Sequence, residues 1–271
     1  MKENLAVIFG GVSCEHDISI ISAIQAIKNI DTNFYNIIPI YITKSGVMLT
    51  GKKLIELSTF SNMNYKKFKP VTFVSGSNNL YLKSLFGYTK KQIINVALVI
   101  MHGENGEDGK IMSMLSLCGI PYSACDQMQS AICMDKCVFK DYLKGLKINT
   151  VSGLTVFDYD YLTNPEKVKK QVLKQLNYPV ILKPATLGSS IGIKIANNES
   201  ELEAGLVVAF NYCNKVLIES YLSDITEINV ALLGLNNDVT ISETEQPVKQ
   251  NDILTFDNKY MGNSSAGMAN L

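Results

Sequence analysis

The sequence predicts an α/β protein, with an N-terminal parallel-sheet βαβ domain followed by an α+β region. Three observations predict it. Unbroken apolar runs at residues 5–9 and 96–101 read as strands, the second of the kind buried on both faces. Each is followed by a glycine-bearing turn and then a helix, the order that builds a parallel sheet. From Thr155 onward, strands and helices follow one another in a mixed order.

The elements follow in sequence. Gly10 and Gly11 turn the chain after the first strand, and Asp17 opens a helix with Ile20, Ile24 and Ile27 at helical spacing. Residues 35–42 are the next strand, ended by a turn at Lys44-Ser45-Gly46. Residues 51–92 mix Lys, Asn, Ser and aromatics and read as a peripheral insertion with no assigned role. The strand at 96–101 enters a polar loop at 102–109, and a helix runs through Leu117. Residues 127–145 are helical, with a break near Met134 and Asp135. A strand then ends at Asp158, and a lysine-rich helix covers 165–176. Strands at 180–184 and 191–196, a helix at 199–212, and strands at 216–219, 227–233 and 238–243 complete the pattern. The domain boundary is placed between 126 and 127, giving domains 1–126 and 127–271, with a sub-boundary near Tyr178.

Composition narrows the function. The 271 residues carry 25 basic and 25 acidic groups, and every basic one is lysine. That balance lacks the basic footprint of a nucleic-acid binder, and no polybasic stretch would hold an anionic membrane. The apolar runs are far shorter than the about 20 residues a membrane helix needs. The N-terminal LAVIF stops at Gly10, too soon for a signal-peptide core. A cytoplasmic location is therefore expected. The six cysteines are scattered and read as reduced. Cys133 and Cys137 are one helical turn apart but have no histidine nearby, so they read as small buried hydrophobes and not as a zinc site.

Four segments carry chemistry. In GGVSCEHDIS, residues 10–19, a strand runs through glycines into a helix N-terminus with unpaired N–H groups. Glu15 there is either a helix-start carboxylate or, in a cleft, the partner of a substrate ammonium. HGENGEDG, residues 102–109, follows a buried strand, where ligands collect in open α/β sheets. It holds His102, Glu104, Glu107 and Asp108, and a solvated turn is the competing reading. In LKPATLGSSIGI, residues 182–193, Lys183 ends a strand before a small, hydroxyl-bearing loop. Backbone amides and serines of such a loop can cradle phosphate while the lysine supplies charge. The segment is not a P-loop, because G-x-x-x-x-G-K-[ST] is absent. VLIE, residues 216–219, is an apolar strand ending in Glu219, suited to an adenine pocket. Two core strands with a solvated lysine and glutamate would explain less, and the pair is read as nucleotide binding.

Taken in order, GGVSCEHDIS, MHGENGEDG, CMDK, LKPATLGSSIGI, VLIESYL and DNKY resemble the D-alanine–D-alanine ligase family of the ATP-grasp superfamily. The resemblance implies α+β ATP-grasp domains after residue 126, with a central ATP-binding part to about residue 220. The last part, 221–271, would be incomplete. By position, Glu15 resembles the residue holding the ammonium of the first D-alanine, with His102 near that substrate. Lys136 in CMDK and Lys183 resemble the two phosphate-binding lysines. Ser189 and Ser190 lie in the loop over those phosphates. Ser189 resembles the serine that links Glu15 to the mobile-loop tyrosine, here Tyr260, beside Lys259. Glu219, Tyr221 and Leu222 match the adenine hinge and Glu227 the ribose contact, and Ser220 stands where the family often has lysine.

The resemblance implies ATP and Mg²⁺ as cofactors, D-alanine and a second D-amino acid as substrates, and a homodimer. The metal ligands are unknown and are expected in a C-terminal segment beyond Leu271. Segments 38–46 and 130–136 look most like the vancomycin-resistance G-type ligases, so D-serine is the expected acceptor and D-alanine the runner-up. The retained Lys259-Tyr260 pair argues for an amine over lactate. Another ATP-grasp enzyme would not need the Glu15 and HGENGEDG segments. An inactive ATP-binding fragment is the remaining alternative.

Overall fold

The computed structural model describes residues 2–61, 63–235 and 238–247. The chain groups into two compact units, the first ending at Ile148 and the second beginning at Asn149.

In the first unit the elements are β1 (Glu3–Gly10), α1 (His16–Asn29), β2 (Tyr35–Ile42), β3 (Met48–Thr50), α2 (Ser58–Ser61), β4 (Lys69–Val74), β5 (Ser77–Ser84), β6 (Gly87–Ile93), β7 (Val96–Val99), α3 (Lys110–Leu117), β8 (Tyr122–Ser123), α4 (Gln127–Met134) and α5 (Lys136–Gly145). One eight-stranded sheet runs β6-β5-β4-β3-β2-β1-β7-β8. Its β2-β1-β7-β8 part is parallel, as the alternation of strand and helix predicts. β1 explains why its apolar run is unbroken. Leu5, Val7 and Phe9 face Ile20, Ile24 and Ile27 of α1, while Ala6 and Ile8 face the other way into a core with Ile111, Met112 and Leu115 of α3. A strand covered on both sides has no position for a polar residue. Each such aliphatic side chain contributes roughly 1.5–3 kcal/mol by leaving water.

Residues 51–92 are not an appendage to this sheet. β3, β4, β5 and β6 continue it in antiparallel order from β2. They read weakly in sequence because an antiparallel edge keeps a polar face: β6 has no buried residue. Two short 3₁₀ turns, Lys52–Ile55 and Tyr65–Lys67, lie among these strands.

α4 and α5 group with the first unit, although the sequence reading began the second domain at residue 127. The loop after β7 packs on the start of α4: a Cβ at Gly109 would stand 2.5 Å from the Gln127 carbonyl oxygen. The break between the helices falls at Asp135, whose carboxylate caps α5 by accepting from the Cys137 and Val138 N–H groups.

A buried hydroxyl ties three elements together. Ser19 Oγ donates to the Ile100 carbonyl at 2.5 Å and accepts from the Gly10 N–H at 2.8 Å, joining α1 to the ends of β1 and β7. Ser19→Ala leaves both backbone groups unpaired in a fully buried place. It is expected to lower unfolding free energy by about 1–3 kcal/mol, read as a shifted denaturant midpoint.

The second unit contains β9 (Gly153–Phe157), α6 (Asp158–Thr163), α7 (Pro165–Gln175), β10 (Val180–Pro184), β11 (Lys194–Ala196), α8 (Glu199–Phe210), β12 (Lys215–Ser220), β13 (Leu232–Leu235) and β14 (Asp238–Ile241). A four-stranded antiparallel sheet runs β11-β10-β12-β9. Val180 and Leu182 of β10 and Val216 and Ile218 of β12 point into a core with Val168 and Val172 of α7 and Leu202 and Leu206 of α8. Strand β11 is shorter than the 191–196 run suggests, because residues 185–193 form a loop. The 227–233 and 238–243 strands contract to the β13–β14 hairpin and a bridge between Asn229 and Glu245.

Lys169 of α7 is enclosed by three carboxylates, Glu166 at 2.5 Å, Glu203 at 2.7 Å and Glu199 at 2.8 Å, which fastens α7 to α8. These hydrogen bonds, Glu166 first, hold its ammonium well above the ordinary lysine range. A raised value in the folded state means the stabilisation is complete below the unfolded lysine value and is lost as pH rises through the folded one.

Candidate functional site

In the first unit the site forms at the carboxyl ends of β1 and β7. Glu15 takes the N-cap position of α1 and is only 5% exposed. Its N–H donates to Ser13 Oγ at 3.0 Å. His16 beside it is buried, with Nδ1 against the Gly11 carbonyl and Nε2 3.1 Å from the Tyr41 hydroxyl. Burial, then the neighbouring Tyr65, raise the Tyr41 hydroxyl far above its ordinary value. The 102–109 loop comes against this turn. A Cβ at Gly103 would stand 2.5 Å from Ser13 Oγ and 2.7 Å from Glu15 Oε2, and Gly103 has φ +64°. Only a residue without a side chain lets the loop backbone lie along the Glu15 carboxylate. His102 Nε2 is 3.3 Å from Ser22 Oγ on α1. The structure thus brings Glu15 and His102, two of the sequence-predicted residues, to one place.

The acidic residues of the loop serve it internally. Glu107 Oε2 accepts from the Gly103 N–H at 2.7 Å. Asp108 accepts from the Asn105 and Lys110 N–H groups and pairs with the Lys110 ammonium at 2.9 Å. Burial pushes the Asp108 carboxyl up, but the Asn105 N–H and Lys110 outweigh it and hold the group below the usual carboxylate range. A depressed folded value means that Asp108 stabilises above the unfolded carboxylate value of about 3.9, and that this is lost as pH falls through the folded value. Asp108→Asn is expected to be less stable at neutral pH and to lose less on acidification below about pH 4, measured by thermal melts across pH. Beside the loop lies a cavity of about 490 Å³, lined by Met101, Glu107, Met112, Cys125 and Cys133 among others. Lys136 is the first residue of α5 in this unit, held there by the Asp135 cap.

In the second unit, antiparallel register places Lys183 opposite Leu217 and Ile181 opposite Glu219. Side chains alternate across a strand, so Ile181, Lys183, Leu217 and Glu219 share the face opposite the helix-packed core. There Lys183 Nζ donates to Glu219 Oε2 at 2.6 Å, a diagonal cross-strand pair with Glu219 only 7% exposed. Gly153 of β9 pairs with Glu219, and a Cβ there would stand 2.8 Å from Glu219 Cγ. Lys183 leads into the 185–193 loop, where Ser189 and Ser190 both have positive φ, 49° and 60°. Two successive side-chain-bearing residues in the left-handed region cost of order 1 kcal/mol each, a strain typical of ligand-gripping loops. Past β12, the Tyr221 N–H donates to the Pro179 carbonyl at 3.0 Å, while Leu222 and Glu227 are exposed.

These residues suit a nucleotide: a lysine and a strained loop for phosphate, and an apolar strand face ending in a carboxylate for a base. Among the described residues no group of three His, Cys, Asp or Glu could hold a metal ion. Lys259 and Tyr260 lie outside the described residues. Among the described residues no helix is long and apolar enough to cross a membrane. Sequence reasoning missed Ser13, which accepts from the Glu15 N–H, and Ser19, whose partners at Gly10 and Ile100 are set by the packing of α1 on β1 and β7 and not by any local pattern.

An α/β unit with glycine-bearing turns at its parallel strand ends, followed by an antiparallel unit carrying a lysine–glutamate pair and a serine loop, is the architecture of an ATP-grasp ligase. The comparisons agree. Residues 4–125 match the model of the D-ala D-ala ligase N-terminus and residues 142–270 that of its C-terminus. A D-alanine–D-alanine ligase of Thermosipho melanesiensis is 42% identical over 261 residues, covering 95% of this chain and 69% of that relative. Among solved structures, the D-alanine–D-alanine ligase of Helicobacter pylori aligns with TM-score 0.77 and 28% identity, over 93% of this chain and 76% of the other. The VanG D-Ala:D-Ser ligase of Enterococcus faecalis aligns with TM-score 0.76 and 31% identity, over 91% and 70%. The chain belongs to the D-alanine–D-alanine ligase family, whose members use ATP and Mg²⁺.

Proposed function

We propose that the chain joins D-alanine to a second D-alanine in two steps driven by ATP. The first D-alanine carboxylate oxygen attacks the γ-phosphorus, releasing ADP and forming D-alanyl phosphate. The amine of the second D-alanine then attacks the acyl carbon, phosphate leaves, and the nitrogen loses a proton. Such chemistry depends on positioning and on offsetting negative charge. Glu15 would hold the first ammonium, with His102 beside that substrate. Lys136 and Lys183 would face phosphate oxygens, with Ser189 and Ser190 in the covering loop. Glu219, Tyr221 and Leu222 would take the adenine and Glu227 the ribose, and Lys259 and Tyr260 would belong to a segment that excludes water. Mg²⁺ would neutralise phosphate charge.

The observation that carries the reading is Glu15, a carboxylate 5% exposed at a helix start and laid against the glycine of the loop after β7. A buried carboxylate at the strand ends of a parallel sheet suits a small ammonium substrate. D-alanine replaces D-serine as the favoured acceptor, because relatives 33–42% identical to the chain are D-alanine–D-alanine ligases. D-serine remains a second reading on the likeness to VanG. A homodimer and a place in peptidoglycan precursor synthesis fit the family. D-alanine labelled with oxygen-18 in its carboxylate tests the first step. The released phosphate should carry one labelled oxygen. ATP binding without D-alanine-dependent phosphate release would overturn the proposal and leave a nucleotide-binding protein.

A further inference from the structure

The antiparallel extension of the first unit holds a cavity of about 520 Å³ that the ligase reading does not use. Four separate elements each turn one lysine toward it: Lys52 from the first 3₁₀ turn, Lys67 from the second, Lys69 from β4 and Lys91 from β6. The register of β5 on β6 skips between Leu80 and Tyr81, which pair with Gln92 and Lys90. Lys91 is therefore the extra residue of a β-bulge, a device that re-aims a side chain. Pro39 and Ile55 supply apolar wall, and no acidic residue lines the cavity. Among the described residues none of the four lysines has a carboxylate partner.

We propose that this cavity binds a small organic polyphosphate, its phosphates among Lys52, Lys67, Lys69 and Lys91 and its organic part against Pro39 and Ile55. Four like charges gathered without counter-charge repel one another, and an anion relieves that repulsion. Burial and the charge of Lys69 lower the Lys91 ammonium below its ordinary value, consistent with such crowding. The volume lies within the range of small-molecule sites, and a concave cavity favours a compact ligand over a membrane surface. Lysine is a point-charge phosphate binder, suited to a ligand held by several ammonium groups and not by one bidentate fork.

Isothermal titration of the full chain with pyrophosphate, and with uridine diphosphate as a probe bearing an organic part, tests this. Binding should weaken steeply with added salt. The Lys52→Glu/Lys91→Glu double variant should bind at least about tenfold more weakly, since two favourable charges become repulsive. Its D-alanine-dependent ADP release should match the parent. Lys183→Ala should leave this binding intact, so failure here and failure of the ligase reading give different patterns. Should charge reversal disturb folding, Lys52→Gln/Lys91→Gln serves instead, and pyrophosphate should raise its melting temperature less than the parent's. An isotherm unchanged in both double variants would overturn the proposal. Capture on phosphatidylglycerol vesicles without any response to pyrophosphate would overturn it in favour of a membrane surface.

Discussion

Replacing Lys183 with alanine is expected to cut D-alanine-dependent ADP release by about 10²–10³-fold, the loss typical of removing one group that faces charge developing in a transition state. The change should fall mainly on kcat and on the apparent affinity for ATP, with the KM for D-alanine little moved. Stability should fall as well. Lys183 donates at 2.6 Å to Glu219, a carboxylate 7% exposed, and its loss leaves a buried acceptor without that ammonium. Lys183→Ala/Glu219→Gln separates the two effects. Removing both charges should recover much of the stability and none of the turnover, because the second substitution removes only the buried charge that Lys183 had offset. Recovery of turnover would mean that Lys183 does not act on phosphate.

Gly103→Ala carries the second large effect. A methyl group there would stand 2.5 Å from Ser13 Oγ and 2.7 Å from Glu15 Oε2, so the carboxylate or the loop must move. The KM for D-alanine should rise by about 10–100-fold, since displacement by about 1 Å costs that much in a positioned site. Backbone strain adds a stability loss of roughly 1–2 kcal/mol, because φ at Gly103 is +64°. Gly119→Ala is the control. Its φ is nearly the same, +65°, but its Cβ would meet nothing within 4 Å. It should show the stability loss with unchanged kinetics. Equal KM values for the two variants would remove Glu15 from the substrate site.

The parallel half of the first sheet and the glycine-bearing turns after β1 and β7 were legible because their signals are local. β1 is apolar at every buried position, and α1 repeats isoleucine at helical spacing. The antiparallel half was not legible. β6 shows a run of Tyr88, Thr89, Lys90, Lys91 and Gln92, and its partner across the sheet is fixed by register and not by any pattern within the strand. The Lys183–Glu219 pair falls between these cases. Each residue is visible at a strand end, but that they meet depends on β10 and β12 being antiparallel neighbours two positions out of line. The strain at Ser189 and Ser190 is invisible in sequence, since serine carries no preference for positive φ. The expected D-serine acceptor drew on short segments, 38–46 and 130–136, whereas relatives named D-alanine–D-alanine ligases that match over nearly the whole chain favour the runner-up, D-alanine.

The product formed when ATP, Mg²⁺, D-alanine and an equal concentration of D-serine are offered together tests the central claim most directly. Mass analysis of the dipeptides should find D-alanyl-D-alanine as the main product, with one ADP released for each peptide bond. A predominance of D-alanyl-D-serine would contradict the assigned acceptor. ATP consumption with no dipeptide of either kind would contradict the ligase itself.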